Sequence, residues 1–575
     1  MKLTYYVLST AVAVLVGIPA WAADVSRTEQ RMTTYGPVEG VDDSNGSGTY
    51  YWLGVPFAAP PVGPLRWKAP VDPTSWATPR ATKTFGNACV QYGRLYGPGA
   101  NNTYDATIGT TLNTAVGSED CLYLNIWRPA NRDTNLPVIV FIYGGSNVSG
   151  YTADPTYNGA NLAKAANVVV VTVNYRVGLF GWLNLAQLKN GTNALDDSGN
   201  FGTLDNIKAL QFINKNIARF GGDPRNVTLT GQSAGAINVY ALIVSPLMQG
   251  AGLFQKAAAF SGGISLASQL PTGSVGLLSP LSTSATQGTQ LLYSLLVADG
   301  KVADMASAQA YVAGQSKDSI AEYMRSKRPS ELFALIVPVN KIGASASSGP
   351  IPEGTVIPAD PVANIAAGKY TKVPFLASNT RDEAKLFPHF LPLLGPGNPS
   401  GALVSDAERF SILTNFDPDA APTLTIADLV TPQYLPTTAP VTGYNAKTDA
   451  LNRIFFIPNR DNVLAALKSQ QAEIWYYQFE WNEEPVPWNE YYGAAHLFDM
   501  PFIFGNFGPN VFSSAMNSTG NKGGRLALSK AMMSSLAAFA RNGDPNNSAL
   551  GVTWPKWPGR IIFDGTLTDK KISVQ

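Results

Sequence analysis

A serine with a glycine two positions away on either side carries the clearest chemical signal in this 575-residue chain. Ser233 lies between Gly231 and Gly235, after a predicted β-branched strand at 227–230 and before a helix-compatible segment at 236–244. On such a sharp strand-to-helix turn the hydroxyl is exposed above the sheet, and the glycines let strand and helix approach closely. The free N–H groups at the start of the helix then point at the reaction centre. The pattern predicts that Ser233 is a nucleophile.

A serine hydroxyl becomes an effective nucleophile when a base removes its proton and a third group orients that base. The chain has only two histidines. His496 lies on a predicted loop beyond a strand at 474–479, and it fits the chain order of serine, acid and histidine that accompanies this turn. His389 lies among prolines and leucines, and we interpret it as a residue without a catalytic role. His496 is the predicted base.

The acid that orients the base is expected just after a strand, on a loop between the serine and the histidine. A predicted strand at 373–377 is followed by two adjacent carboxylates, Asp382 and Glu383. Both are suitable on chemistry alone, and their spacing does not distinguish them. The residues by themselves therefore leave the acid open between Asp382 and Glu383.

Strands and helices that alternate along the chain would position these side chains. The segments 137–143 and 168–173 are almost entirely apolar, as expected for parallel strands that are buried on both faces. A helix-compatible segment, 161–166, lies between them, and apolar residues recur at helical spacing over 205–220. This alternation predicts an α/β protein with a mostly parallel central sheet and helices on both faces.

The composition limits the classes of partner. Charged residues make up 14% of the chain, well below the usual figure of roughly a quarter, and the formal net charge is only +1. The sequence contains no clustered run of basic residues, so nucleic acid is not expected as a partner. Two stretches rich in Gly, Ser and Pro, 272–289 and 343–354, are predicted to be surface loops. Nothing divides the chain by composition, and we expect one large domain over 23–575.

The N-terminal segment has the pattern of an export signal. Lys2 precedes an apolar run over 7–18, and a small-x-small site ends at Ala22, where cleavage is expected. Because about 20 apolar residues are needed to span a bilayer, this run is too short for a membrane anchor, and no other segment is long and apolar enough. Residues 1–22 are therefore predicted to be a signal peptide, and the mature protein is expected to be secreted or periplasmic.

Export makes the two cysteines informative, since Cys89 and Cys121 are the only ones in the chain. In an oxidising compartment two isolated thiols most simply form one disulfide. Such a bond would close a loop across 32 positions (121 − 89), which is worth about 3–4 kcal/mol in the chain-entropy treatment. The alternative is a pair of free, buried thiols.

Several motifs resemble those of the type-B carboxylesterases, a family that includes carboxylesterases, cholinesterases and some fungal lipases. Residues 220–235, FGGDPRNVTLTGQSAG, match the family's serine signature, and residues 119–126, EDCLYLNI, match its second signature. Shorter family-like segments lie at 54–58, 60–63, 174–176 and 539–545. The resemblance extends over about residues 30–565. It implies the α/β-hydrolase fold, a mostly parallel central sheet with helices on both faces and large loop insertions.

The resemblance also implies roles for individual residues. Ser233 becomes the nucleophile and His496 the base, and the family's Asn-x-x-Asp-Glu pattern at 379–383 makes Glu383 the acid. Ser261 matches a family serine that supports the acid, and an ordinary buried serine is the competing interpretation. The two cysteines match the family's first disulfide, which closes an Ω-loop over the mouth of the active site.

The family's oxyanion hole is built from backbone N–H groups, which correspond here to those of Gly145, Ser146 and Ala234. Ser146 departs from the usual Gly or Ala, and Asn147 departs from the usual Phe. Leu497 replaces a common glycine after the base histidine. None of these changes removes a backbone N–H, so the hole is expected to persist while the adjacent pocket becomes more polar.

These observations predict a secreted serine ester hydrolase that acts on a small-molecule ester through an acyl-enzyme, with no metal or organic cofactor implied. A lipase is the alternative, but segment 90–120 is dominated by Gly, Asn, Thr and Ala instead of an amphipathic lid. A non-catalytic cholinesterase-like binding protein is a second alternative, although such proteins usually lack the serine or the histidine. Phe387, Phe390 and Trp481 are guesses for the pocket lining. The sequence does not indicate the natural ester or the oligomeric state.

Overall fold

A thirteen-stranded sheet runs through the protein, for which the computed structural model describes residues 27–336 and 349–575. The strands, in chain order, are β1 Arg27–Met32, β2 Pro37–Asp43, β3 Thr49–Pro56, β4 Arg80–Ala81, β5 Gln91–Tyr92, β6 Ala115–Val116, β7 Tyr123–Pro129, β8 Leu136–Ile142, β9 Val169–Val173, β10 Gly222–Gln232, β11 Lys256–Phe260, β12 Phe375–Thr380, β13 Ile474–Phe479, β14 Ile561–Gly565 and β15 Lys570–Val574. Strands β5 and β6 pair with each other in a separate ribbon. The predicted signal peptide, 1–22, lies outside the described residues.

The sheet is parallel in its centre and antiparallel at its edges. Its strand order is β1-β2-β3-β7-β9-β8-β10-β11-β12-β13-β14-β15, with β4 beside β2. All neighbours from β9 to β14 are parallel, whereas β1, β2, β3 and β7 form antiparallel pairs and β15 closes the other edge. Every residue of β8 and β9 is buried, as expected for strands covered on both faces. The predicted mostly parallel sheet is confirmed, and the antiparallel N-terminal part is an addition to it.

Two groups of helices cover the sheet. The helices are α1 Ile108–Thr111, α2 Ala160–Ala166, α3 Gly178–Gly181, α4 Ala194–Asp197, α5 Phe201–Asn216, α6 Ala234–Val244, α7 Leu281–Ala298, α8 Met305–Ala313, α9 Lys317–Arg325, α10 Pro329–Ile336, α11 Pro361–Ala366, α12 Asp406–Asn415, α13 Tyr444–Lys468, α14 Trp488–Tyr491, α15 Met500–Phe504, α16 Ser513–Met516 and α17 Lys522–Asn542. Helices α5 and α6 contact each other and β10, while α2, α15 and α17 form a second group that contacts β8 and β10. No helix among the described residues combines the length and apolar composition needed to cross a bilayer.

The segment 272–289 differs from its prediction as a surface loop. Helix α7 begins at Leu281 and buries an apolar stripe that includes Leu291, Leu292, Leu295 and Leu296. These leucines lie after the Gly/Ser-rich part. The composition of the first turns of the helix therefore led to the wrong prediction of a loop. The second predicted loop is irregular at 349–354, and its residues 343–348 lie outside the described part of the chain.

Four strands of the parallel centre end at one edge of the sheet. The segment that follows β8 contains Gly145 and Ser146, and β10 leads directly into Ser233. Strand β12 leads into Glu383, and the chain beyond β13 reaches His496. Because ligands of open α/β sheets bind beyond the carboxyl ends of the strands, this edge is where a functional site is expected.

Candidate active site

Ser233 occupies the turn between β10 and α6. Its φ is +58°, in a region that non-glycine residues rarely adopt and that costs about 1–3 kcal/mol. The turn is tight, since a Cβ atom on Gly235 would lie 2.0 Å from the Ile142 carbonyl oxygen. A Cβ atom on Gly231 would lie 2.3 Å from the Gly235 carbonyl oxygen. Only glycine fits at these two positions, and the resulting close packing holds the serine at the start of α6.

Glu383 and His496 form a buried pair in which the imidazole Nδ1 donates a hydrogen bond to Oε2. The other carboxylate oxygen, Oε1, accepts from Asn379 Nδ2 at 2.7 Å and from the Thr380 amide at 3.0 Å. Burial alone would raise the pKa of Glu383, but the charge and hydrogen bond of His496 outweigh burial and lower it. The carboxylate is therefore ionised and holds the imidazole with its Nδ1 proton directed away from the serine.

The structure distinguishes the two carboxylates that the sequence left open. Asp382 directs Oδ2 to the Arg381 guanidinium, 2.7 Å away, and to the Ala494 amide, 3.0 Å away. The Asp382 amide donates in turn to the Ala494 carbonyl at 2.9 Å. Asp382 thus ties its own loop to the loop that carries His496, while Glu383 alone reaches the imidazole.

Ser261 lies near the acid without a well-formed hydrogen bond to it. The Ser261 hydroxyl is among the groups that lower the pKa of Glu383. Its Oγ is nevertheless buried without a partner of good hydrogen-bond geometry among the described residues. Ser261 therefore contributes to the polarity around the carboxylate more than to its position.

Gln232 contacts the nitrogen of His496 that faces the pocket. Its Nε2 lies 3.1 Å from the imidazole Nε2 and donates to it when the imidazole proton is on Nδ1. Ser233 Oγ makes no hydrogen bond to any described residue, although Ser233, His496 and Gln232 line the same pocket. Catalytic hydrogen bonds often tighten only when substrate is bound, so this arrangement is compatible with transfer of the serine proton to His496.

Three backbone N–H groups near Ser233 have no protein acceptor among the described residues: those of Gly145, Ser146 and Ala234. Gly145 and Ser146 have positive φ angles of 107° and 57°, and the turn is closed where the Ser149 amide donates to the Gly145 carbonyl at 3.1 Å. The loop approaches the nucleophile closely, since a Cβ atom on Gly144 would lie 2.7 Å from Ser233 Cβ. The arrangement can donate hydrogen bonds to an anionic oxygen beside the serine.

Cys89 and Cys121 form a disulfide, with an Sγ–Sγ distance of 2.04 Å, as predicted. The buried Gln91 side chain joins the loop that the disulfide closes to the glycine-containing segment after β8. Gln91 Oε1 accepts from the Gly150 amide at 2.8 Å, and Gln91 Nε2 donates to the Gly150 carbonyl at 2.9 Å. Arg94 and Tyr96 of the disulfide-closed loop then form part of the pocket wall.

The rest of the pocket wall is largely aromatic. It includes Tyr151, Tyr157, Leu386, Phe387, Phe390 and Phe512. Two of the guessed lining residues, Phe387 and Phe390, are thus in the wall, but Trp481 is fully buried in the core against Phe502, with ring centroids 5.1 Å apart. His389, for which no catalytic role was predicted, is exposed and also lines the pocket. Among the described residues no group of three or more His, Cys, Asp or Glu side chains is arranged to hold a metal ion.

Comparison with known proteins agrees with this geometry. The profile of the "Carboxylesterase family" matches residues 27–561. The chain is 32% identical over 547 residues to the para-nitrobenzyl esterase of Bacillus subtilis (strain 168). The aligned region covers 94% of this chain and 96% of the relative. The chain belongs to the carboxylesterase family.

Two further comparisons extend this result. The chain is 32% identical over 543 residues to the fumonisin B1 esterase of Sphingopyxis macrogoltabida, with 92% of this chain and 85% of the relative covered. A solved structure of a PNB esterase superposes with a TM-score of 0.69 at 26% identity, covering 95% of this chain and 97% of the other. This carboxylesterase therefore has the α/β-hydrolase fold and is a serine ester hydrolase.

Asp499 is a buried acid of this carboxylesterase that the sequence reasoning did not identify. Tyr477 donates its hydroxyl proton to Asp499 Oδ2 at 2.8 Å, and Oδ1 has no partner among the described residues. Burial, assisted by the charge of Glu383, raises the pKa of Asp499 to about 7. The sequence signal for Asp499 was its position three residues after the base histidine. Gln232 was also missed, and its signal was its position directly before the nucleophile.

Of the two expected polar changes, Ser146 lines the pocket, but Asn147 does not reach it, which corrects that part of the prediction. The Asn147 side chain is only 1% exposed, and its Oδ1 accepts from Asn238 Nδ2 at 2.9 Å and from the Tyr175 hydroxyl at 3.3 Å. With φ at +57°, its backbone directs the side chain into the protein. Leu497 does line the pocket, and its φ of +82° explains why glycine suits this position.

Proposed function

We propose that this carboxylesterase hydrolyses its ester through an acyl-enzyme on Ser233. His496 Nε2 takes the serine proton as Oγ attacks the ester carbonyl, and Glu383 stabilises the imidazolium that forms. The amides of Gly145, Ser146 and Ala234 donate to the carbonyl oxygen as it becomes negative. His496 then protonates the departing alcohol, and water activated by the same imidazole releases the acid.

The observation that carries this proposal is the position of the buried Glu383–His496 pair beside three free backbone amides at one serine. His496 presents Nε2 to the pocket because Glu383 binds Nδ1. For the attack, the contact of Nε2 with the Gln232 amide must give way to one with Ser233 Oγ. An ester carbonyl seated on the free amides would bring its carbon to the same serine.

Chemical labelling tests the nucleophile. A fluorophosphonate should modify Ser233 alone, as located by peptide mass spectrometry, because among the residues that the structure describes only this serine has a base and oxyanion donors beside it. Ser233→Ala should lower ester turnover by several orders of magnitude while the far-ultraviolet circular dichroism spectrum is retained. A label on another serine, or near-normal turnover by Ser233→Ala, would contradict the assignment.

We favour soluble or dispersed esters over lipid interfaces as substrates. Within the disulfide-closed loop the structure has only one α-helix, α1, and it is four residues long, so the described residues offer no extended amphipathic lid there. The relatives named above are called para-nitrobenzyl esterase and fumonisin B1 esterase, which also favours individual ester molecules. The rate should follow a simple saturation curve as a short-chain ester passes its solubility limit, whereas a lipase would show a jump at that point.

We further propose that the enzyme is exported and that residues 1–22 are removed. The disulfide supports export, because such bonds form and persist in oxidising compartments. Mass spectrometry of the mature protein from its native host should find an N-terminus at Ala23 and no reduced cysteine. A full-length chain that stays in the cytoplasm with two free thiols would contradict this part of the proposal.

A further inference from the structure

Arg94 is a cation in the pocket wall without an anionic partner. It is partly exposed and lines the same cavity as Ser233 and His496. Among the described residues its guanidinium makes no ion pair and no hydrogen bond, and it lies over the face of Tyr92, 5.7 Å from the ring centroid. All five N–H donors of the guanidinium are therefore available to a ligand.

The chain around Arg94 is held firmly enough to form a preorganised site. Three residues earlier, Gln91 fastens the loop to the Gly150 backbone through two hydrogen bonds, and the disulfide closes its base. Gly93 is bonded to the other arm of the loop, as its amide donates to the Thr114 carbonyl at 2.7 Å. The cation is thus presented from a fixed backbone, which lowers the entropic penalty of binding.

A second arginine, Arg409 of α12, strengthens the positive potential at this side of the pocket. Arg409 is buried and, among the described residues, its Nε has no partner and its only counter-charge is Asp406, 3.7 Å away and half exposed. It lies near Tyr96, which stacks on Phe512 in the pocket wall. After burial, the charges of Arg94 and Arg409 are the main reasons why the pKa of the His389 imidazole lies below its usual value.

The acids of the pocket do not neutralise this charge. Glu383 is bound to His496, and Asp154 accepts from the Thr156 amide at 2.9 Å without forming an ion pair with Arg94. Burial raises the pKa of Asp154 above its usual value. A negative group on a substrate would therefore meet an uncompensated guanidinium at the wall.

We propose that Arg94 binds a carboxylate of the substrate, so that the enzyme selects esters that carry a negative charge over their neutral counterparts. The substrate class is then a half-ester of a dicarboxylic acid or an ester of a hydroxy acid, with the free carboxylate bonded to the guanidinium. Arg409 adds attraction from behind Tyr96. The inference rests on the proposed function, because the carboxylate is bound in the pocket of the same serine.

Two matched substrate pairs test the anion site on either side of the ester bond. For the acyl side, the mono-4-nitrophenyl ester of adipic acid is compared with 4-nitrophenyl hexanoate. For the alcohol side, the butyrate ester of 6-hydroxyhexanoate is compared with hexyl butyrate. The quantity measured is the ratio of kcat/KM for the charged member to that for the neutral member, at low and at high salt.

Three variants of the full-length enzyme separate charge from structure. Arg94→Gln removes the cation, whereas Arg94→Lys retains the positive charge without the planar guanidinium. As a control, Arg225→Gln removes an arginine whose side chain is 88% exposed at the surface. In at least one pair, Arg94→Gln should lower the charged-to-neutral ratio roughly tenfold to a hundredfold, mainly through KM. Arg94→Lys should retain part of the ratio, and Arg225→Gln should keep the wild-type ratio.

Salt provides an independent measurement. The preference for the charged ester should decrease between low and high ionic strength in the wild type and in Arg225→Gln, and it should change much less in Arg94→Gln. The same ratio in the wild type and in Arg94→Gln, for both pairs, would overturn the anion site. A failure of the proposed function is distinguishable from this result. In that case Ser233→Ala would hydrolyse the neutral esters at the wild-type rate, whatever the ratio of kcat/KM for the charged and the neutral ester.

Discussion

Ser233, Glu383 and His496, which we call the floor of the pocket, follow strands of the parallel sheet, whereas Arg94 and Tyr96, the loop wall, lie on the disulfide-closed loop 89–121. The acid and the base of the floor are 2% and 3% exposed. The loop wall is partly exposed and is held by the disulfide, by Gln91 and by two strands of two residues each, β5 and β6.

The floor is expected to carry out the reaction, and the loop wall is expected to select among substrates. A change in the floor alters a group that takes part in the reaction itself, so it should affect every ester alike through the chemical step. A change in the loop wall leaves the floor in place and should affect esters according to their size and charge.

The largest effect is expected in the floor, where two adjacent carboxylates provide a matched comparison. Glu383→Gln should lower kcat by roughly 10³–10⁴-fold, because a neutral amide no longer stabilises the imidazolium. Asp382→Asn should lower it by less than about tenfold, because its carboxylate bonds Arg381 and the Ala494 amide away from the imidazole. Steady-state kinetics on a small neutral ester measures both variants, and equal losses would refute the distinction between them.

The next effect concerns the stability of the loop wall. Replacement of Cys89 and Cys121 together by serine opens a loop across 32 positions and should lower the free energy of unfolding by about 3–4 kcal/mol. Urea unfolding measures this loss. The kcat/KM for a small neutral ester should fall less than that for a bulky or charged ester, since the loop contributes wall residues only. Equal losses for all esters would show that the loop also positions the floor.

A pH-dependent effect is expected beneath the floor, at Asp499. Because its folded-state pKa is raised to about 7 from 3.8, the folded protein loses stability as pH rises from about 4 through about 7, where the buried carboxyl must ionise. Asp499→Asn removes this loss and can still accept the Tyr477 proton. The variant should therefore gain stability relative to the wild type by a few kcal/mol between pH 5 and pH 8. A pH-independent difference in urea midpoints would contradict the raised pKa.

The smallest effect is expected at Leu497, the residue after His496 that lines the pocket. With its φ at +82°, glycine should relieve backbone strain, whereas alanine would retain it. Leu497→Gly should therefore be about 1 kcal/mol more stable than Leu497→Ala, the reverse of the usual order. Both variants should raise kcat/KM for bulky esters a few-fold by widening the pocket. A more stable alanine variant would show that the strain is absent.

Local patterns were sufficient for the nucleophile and for much of the sheet. The strand predicted at 474–479 is β13 with the same bounds, and the segment at 137–143 is β8 shifted by one residue. Continuous apolar runs predict these strands well because parallel strands are buried on both faces. The antiparallel strands β1 to β3 escaped prediction, since they are only partly buried and lack such runs.

The surroundings of the nucleophile could not be predicted in the same way. Trp481 and Phe390 are both aromatic and both near candidate residues, yet one is in the core and the other in the pocket wall. Asn147 follows the oxyanion loop directly, but its backbone directs the side chain inward. The direction of a side chain depends on backbone angles and neighbours that a composition or a motif does not specify.

The sequence by itself determined that this protein has a serine on a strand-to-helix turn, because strand, glycines and helix are contiguous and the turn depends on local packing. It also determined the α/β class, through the spacing of apolar residues. Only the tertiary structure decided which carboxylate reaches His496, a partner 113 positions from Glu383. It also decided that Arg94 lines the pocket without a counter-charge from the part of the chain that the structure describes. These outcomes depend on how distant loops meet at one edge of the sheet, and the distances and charges there exist only in the folded chain.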